Sequence, residues 1–175
     1  MNNPVNFLTA LKFALQAEGG FVDNPSDPGG ATNYGITQEV YDNFRTAQSL
    51  PVQSVKNISM DEVDDIYAKN YWMAGNCDEM PLTLAVAHFD ACVNCGIPQA
   101  VKFIQQILGL TVDGEYGPMT ASAVETSKNL VDGILLARRG FYTALAQEKP
   151  SMKQFLIGWL KRVENLQAYI EALNG

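Results

Sequence analysis

The sequence predicts a mainly α fold, and three observations carry that expectation. Apolar residues recur at helical spacing through most segments, glycine and proline fall where those stripes stop, and alternating strand patterns are scarce. With 175 residues, 47% of them hydrophobic, the chain can bury a real core, as one domain or one domain with a small added lobe.

The first helix is expected over residues 5 to 18, where Phe7, Leu11 and Leu15 fall at i, i+4 and i+8 with Leu8 and Ala14 beside them. Residues 19 to 35, GGFVDNPSDPGGATNYG, hold five Gly and two Pro in seventeen positions and read as a long turn-rich loop, with at most a short β-hairpin. Helix follows in TQEVYDNFRTAQ. A second start lies at Ser59, with Glu62 at the spacing that lets the two side chains cap the first turn reciprocally. PLTLAVAHFDACVNCG begins at Pro81 and stops at Gly96, and PQAVKFIQQILG stops at Gly109. Asp113-Gly114 marks a turn and Gly117-Pro118 a restart. Two longer helices, about 130 to 147 and 151 to 173, close the chain.

A formal charge of −7 argues against a general nucleic-acid binder, because affinity for phosphate backbones comes chiefly from Lys and Arg. The basic pairs Arg138-Arg139 and Lys161-Arg162 read as solvated helix faces. The uncharged start, the lysine within the first apolar run and the lack of a small-residue cleavage site do not describe a signal peptide. The expectation is synthesis in the cytoplasm, with another protein needed for passage if the chain works outside the membrane. Cys77, Cys92 and Cys95 are an odd set, and with His88 they could supply four zinc ligands only if all converged. On an apolar helix, cysteines read better as small buried hydrophobes, so neither metal nor disulfide is expected.

One placement is anomalous. Glu18 ends the first helix just before Gly19-Gly20, although a helix C-terminus is the negative end of the macrodipole and favours cations. Eight residues separate Glu18 from Asp27, and four more separate Asp27 from Thr32, with Asp23 in the same loop. Cleaving a glycosidic bond needs a carboxylic acid to protonate the leaving oxygen, and commonly a second group to activate water or shield an oxocarbenium-like transition state. The acid must hold its proton near neutrality, which burial and nearby negative potential both promote, and a buried helix end offers both. Glu18 is therefore the candidate proton donor. Asp27 either takes part or simply makes the turn before Pro28-Gly29.

The stretch AEGGFVDNPSDPGGATNYGIT resembles the catalytic motif of glycoside hydrolase family 108, muramidases found as phage endolysins and among bacterial secretion activators. The matching residues are Glu18-Gly19-Gly20, Pro25, Asp27, Gly29-Gly30, Thr32 and Gly35-Ile36. FDACVNCG at 89 to 96 is similar to the family's F-D-x-x-V-N-x-G segment. VDGEYGPMT at 112 to 120 resembles the turn of small peptidoglycan-binding modules, and FLIGWLKRV is like the family's last helix. The resemblance implies a lysozyme-like helical fold, a catalytic part over 1 to 95 and a helical peptidoglycan-binding part over 96 to 175, packed as one unit. It implies hydrolysis of peptidoglycan glycan strands at the β-1,4 bond after N-acetylmuramic acid without a cofactor, and a holin or secretion system for export.

By the same resemblance Glu18 is the acid. The Glu18, Asp27, Thr32 spacing is similar to that of the phage T4-type lysozymes, with one residue fewer between Asp27 and Thr32. Asp27 is then assigned to charge stabilisation or water orientation and Thr32 to holding the attacking water, with Asp23 as substitute. For substrate contact the candidates are Tyr34, ahead of Tyr71, Trp72 and Tyr116, since aromatic faces suit pyranose rings. Asp90 and Asn94 share a helix face, and either line a polar cleft or bond internally. A lytic transglycosylase and a non-catalytic wall-binding protein that assists secretion are the rival readings.

Overall fold

The computed structural model describes residues 4–23 and 30–174. The apolar stripe of the first segment forms α1, Pro4–Ala17, with Ala10, Leu11, Phe13 and Ala14 buried. A two-stranded antiparallel hairpin follows, β1 (Thr32–Asn33) and β2 (Ile36–Thr37). Its two-residue turn, Tyr34-Gly35, has φ of 51° and 74°, the left-handed pair that matches the twist of adjoining strands. Before the hairpin, Val22 and Thr32 exchange both backbone hydrogen bonds, at 2.9 and 2.8 Å, and so close the base of the glycine-rich loop. The hairpin is anchored from below, where Asn33 Nδ2 donates to the carbonyl of Val55 in a 3-10 turn at Val55–Asn57.

Thr37 caps α2, Gln38–Ala47, and α3, Met60–Tyr67, opens with the reciprocal Ser59–Glu62 cap. That helix widens into a π-helical stretch, Ala68–Met73, which turns Tyr71 and Trp72 toward α1 and α4. After a 3-10 turn at Cys77–Glu79 comes α4, Leu82–Cys95, whose residues Leu84 to Cys92 are all buried. It is the axis of the molecule and packs against α1, α5, α7 and α8. Gly96 (φ 83°) ends it and leads directly into α5, Ile97–Leu108, which stops at Gly109 (φ 65°).

The remaining helices are α6 (Pro118–Thr126), α7 (Leu130–Glu148) and, after a 3-10 turn, α8 (Lys153–Leu173). The fold is thus mainly helical with one small open hairpin, as the sequence predicts. One apolar core runs from Ala10 on α1 to Ile170 on α8. Phe7, Trp72 and Phe89 meet edge to face at its centre, with ring centroids 5.6 to 6.1 Å apart. Because α8 lies against both α1 and α4, the last helix reaches the mouth of the glycine-rich loop. Among the described residues no helix is long and apolar enough to cross a membrane.

Candidate active site

Glu18 follows the last turn of α1 and donates its backbone N–H to the Ala14 carbonyl at 3.2 Å. Its side chain is half-buried, with 22% of its surface exposed. The carboxylate has two distinct sides. Oε1 accepts from Arg162 Nη1 at 2.8 Å. Oε2 faces the hairpin turn, so close to Gly35 that a Cβ there would lie 2.9 Å from it and 2.8 Å from the Tyr67 hydroxyl. Only glycine fits that position, on both spatial and backbone grounds. The Tyr67 hydroxyl donates to the Tyr34 carbonyl at 2.8 Å, tying the turn to α3. Burial pushes the Tyr67 phenol well above its ordinary range, and the Glu18 carboxylate adds to the rise; Tyr71 is raised by the same two causes.

Behind Glu18 lies an ion network that the sequence does not announce. Arg162 donates from Nη2 and Nε to Asp90 Oδ1, at 2.8 and 3.1 Å. Arg138 Nη1 donates to Asp90 Oδ2 at 2.8 Å. Asp90 and Arg138 are wholly buried. Burial alone would raise the Asp90 carboxyl, but Arg138 first and Arg162 next hold it below the ordinary aspartate range. Arg138 Nη2 also donates to the Tyr142 hydroxyl at 3.2 Å, and that hydroxyl donates to Asn94 Oδ1. The network joins α4, α7 and α8 and ends on the Glu18 carboxylate.

The expected site residues are therefore distributed unevenly. Glu18 stands at the loop mouth, and Thr32 is the half-buried first residue of β1, its backbone fixed by Val22. Tyr34, half-buried, supplies the turn beside Glu18. Asp27 lies outside the described residues, as do Pro25 and Gly29 of the same motif. Asp23 is exposed. Asp90 bonds internally, through Oδ2 to Arg138 and through Oδ1 to Arg162, and reaches Glu18 only through Arg162. Asn94 is engaged by Tyr142. Trp72 is core, while Tyr71 and Tyr116 are half-buried.

Sequence reasoning read Arg138 and Arg162 as solvated and so missed them. The solvated reading fails for both: Arg138 is 0% exposed, and Arg162 leaves only 10% of its side chain in solvent. A usable signal was present, since each sits within an otherwise apolar helical stripe. Lys161 is exposed, as expected, and pairs with Glu164 at the surface, while Arg139 is half-buried and donates to Gln167 Oε1 on α8 at 2.9 Å.

A cavity of about 660 Å³ lies elsewhere, between the start of α4, α6, α7 and the end of α8, and shares no residue with the Glu18 network. A hollow of about 380 Å³ borders Arg162 between α1 and α8.

Of the four metal candidates, three converge. Cys77, His88 and Cys92 meet in the interior, whereas Cys95 turns away to the Tyr142 hydroxyl at 3.1 Å. The Cys92 thiol is pulled down to about 5 by its hydrogen bond with Cys77 and then by His88, against burial, while burial first and Cys92 next push Cys77 up.

The family model described as glycosyl hydrolase 108 matches residues 11–96, and one described as a predicted peptidoglycan domain matches residues 99–164. Among solved structures, that of Brucella abortus SagA is similar at 30% identity, covers 97% of this chain and 95% of that one, and gives a TM-score of 0.76. No curated protein matches the chain. The matched residues take in the whole Glu18 mouth, and the likeness extends through the helix that supplies Arg162, so the chain belongs to the glycosyl hydrolase 108 family, a hydrolase domain followed by a peptidoglycan domain.

Proposed function

We propose that the protein is an N-acetylmuramidase that hydrolyses the β-1,4 bond between N-acetylmuramic acid and N-acetylglucosamine, with Glu18 as general acid. The observation that carries this reading is the division of labour on one carboxyl group: Arg162 occupies Oε1, and Oε2 is turned toward the glycine-rich loop. Oε2 carries the proton and delivers it to the glycosidic oxygen. As the proton leaves, negative charge develops on Glu18 beside a fixed cation, the kind of preorganised stabilisation that lowers a barrier. Asp90 holds Arg162 in place through two of its nitrogens, so little reorganisation is needed at that moment.

Thr32, on the strand beyond Glu18, holds the attacking water, and Asp27 steadies positive charge on the sugar or orients that water. Tyr34 meets the sugar at the turn. Residues 1 to 95 form the catalytic part, and 96 to 175 bind the wall polymer while also supplying Arg138 and Arg162 to the site. The protein acts at the cell wall and crosses the membrane with the help of a holin or a secretion system.

The test is release of soluble muropeptides from purified peptidoglycan by the wild type and by Glu18→Gln, with the products reduced and weighed. Reducible muramic ends from the wild type and none from a folded Glu18→Gln chain are expected. Anhydro-muramic ends would instead identify a lytic transglycosylase. Release by neither chain would identify a wall-binding protein.

A further inference from the structure

Cys77, His88 and Cys92 form a cluster that the glycosidic chemistry does not use. Cys77 lies on the 3-10 turn before α4, while His88 and Cys92 are one helical turn apart on α4, and all three are buried. Their donor atoms lie within 4.8 Å of one another, and among the described residues this is the one such group. His88 Nε2 is 3.5 Å from Cys92 Sγ and 3.0 Å from the Gly75 carbonyl oxygen. Gly75 is what lets the chain cross so near the sulfurs: a Cβ there would lie 2.9 Å from Cys92 Sγ and 3.4 Å from Cys77 Sγ. Two sulfurs and an imidazole nitrogen therefore converge, and the Gly75 carbonyl oxygen lies beside that nitrogen.

The donor set selects the ion. Thiolates with imidazole suit zinc and other soft or borderline cations, and a site made from them is usually tetrahedral. Zinc bonds of about 2.3 Å to sulfur and about 2.0–2.1 Å to nitrogen, at a tetrahedral angle, place sulfur and nitrogen roughly 3.5 Å apart. The Cys92–His88 separation is already 3.5 Å without movement.

We propose that Cys77, Cys92 and His88 bind one Zn²⁺ ion, with the Gly75 carbonyl as the oxygen at the fourth position. On binding, the protons shared among the two thiols and Nε2 leave to solvent, and the neutral ring keeps its proton on Nδ1. Among the described residues Nδ1 has no hydrogen-bond partner, and the bond given up on binding is the one Nε2 donates to the Gly75 carbonyl, which the ion replaces by ligating both atoms. The ion clips the Cys77 turn to α4 behind Tyr71, and thereby braces the wall that carries Tyr67 and Tyr71. Because the cluster is enclosed, the ion enters as the chain folds.

Cobalt(II) is the probe, since it reports tetrahedral thiolate ligation in its absorption spectrum. The full chain is unfolded with reductant, refolded with Co²⁺ and freed of excess by gel filtration. Equimolar retained cobalt is expected, with sulfur-to-cobalt charge-transfer bands that are absent when Zn²⁺ replaces Co²⁺ during refolding, and with a higher melting temperature for either loaded form. Cys95→Ser should behave as the wild type, while Cys77→Ser and Cys92→Ser should lose the charge-transfer bands and the tight ion. A natively refolded wild type that retains no cobalt, or serine chains at 77 and 92 that keep the full spectrum, would overturn the proposal. Should those serine chains fail to refold, the spectra of the wild type and Cys95→Ser decide it alone.

Discussion

Arg162 donates to Glu18 across 144 residues of sequence, and the 2.8 Å bond from Nη1 to Oε1 joins the last helix to the end of the first. Two further donors of the same guanidinium, from Nη2 and Nε, are committed to Asp90, so its orientation is set from behind. An arginine can do this because its fork is rigid and planar; a lysine ammonium offers charge without that geometry.

Arg162→Met is expected to leave a folded protein, since Asp90 keeps Arg138, but to slow muropeptide release roughly a hundredfold, the scale on which losing one charge-stabilising donor acts. Arg162→Lys should fall between the two. If Arg162 only held the fold together, kcat and KM would be unmoved in folded variants and the pH profile of kcat would stay as in the wild type.

Asp90→Asn should cost about 3–5 kcal/mol, the range for stranding a buried partner charge, here Arg138. Denaturant titration measures it. The double change Asp90→Asn with Arg138→Met should recover part of the loss, because no buried charge is then left unpaired.

The same carboxyl gives a pH dependence. Asp90 titrates lower in the folded protein than in the unfolded chain, so its contribution to stability is complete above the unfolded value of about 3.9 and is lost as the pH falls through the folded value. Unfolding free energy measured in a series of buffers should decline on acidification below about pH 4. In the Asp90→Asn chain that decline should be shallower.

Gly35→Ala combines a left-handed backbone with a methyl group driven against the Tyr67 hydroxyl and Glu18 Oε2. The backbone term alone is about 1–2 kcal/mol. Activity should drop by more than stability does, because the methyl displaces the oxygen assigned to proton delivery. Equal losses in the two measurements would mean that the turn serves the fold only.

Ser59→Ala removes half of the reciprocal cap on α3 and should cost about 1 kcal/mol in thermal or denaturant melting. Muropeptide release at a temperature where the chain remains folded should be unchanged, since Ser59 lies away from the Glu18 mouth.

Local signals made the elements legible. The Ser59–Glu62 spacing, the stops at Gly96 and Gly109 and the restart at Pro118 each depend on a few neighbouring residues, and each appears where the sequence puts it. The placement of Glu18 at a loop mouth was legible for the same reason. The π-helical stretch at Ala68–Met73 carries no Gly or Pro to announce it and arises from how Tyr67, Tyr71 and Trp72 pack. Arg138 and Arg162 could be suspected of burial from the apolar stripes that hold them, but not that α4 brings Asp90 between them. The meeting of Cys77 with His88 and Cys92 depends on a turn crossing α4 at Gly75, which no spacing rule encodes.

The bond between the first helix and the last also sets an order in time. A ribosome makes Glu18 early, but its guanidinium partner comes from the final helix, and α8 must dock on α1 and α4 before the pair exists. A half-made chain therefore carries the Glu18 carboxylate without its counter-charge. On the reading of Glu18 as the acid, a chain terminated before Arg162 lacks the charge that steadies it, so full activity on a wall polymer arrives only with the last helix.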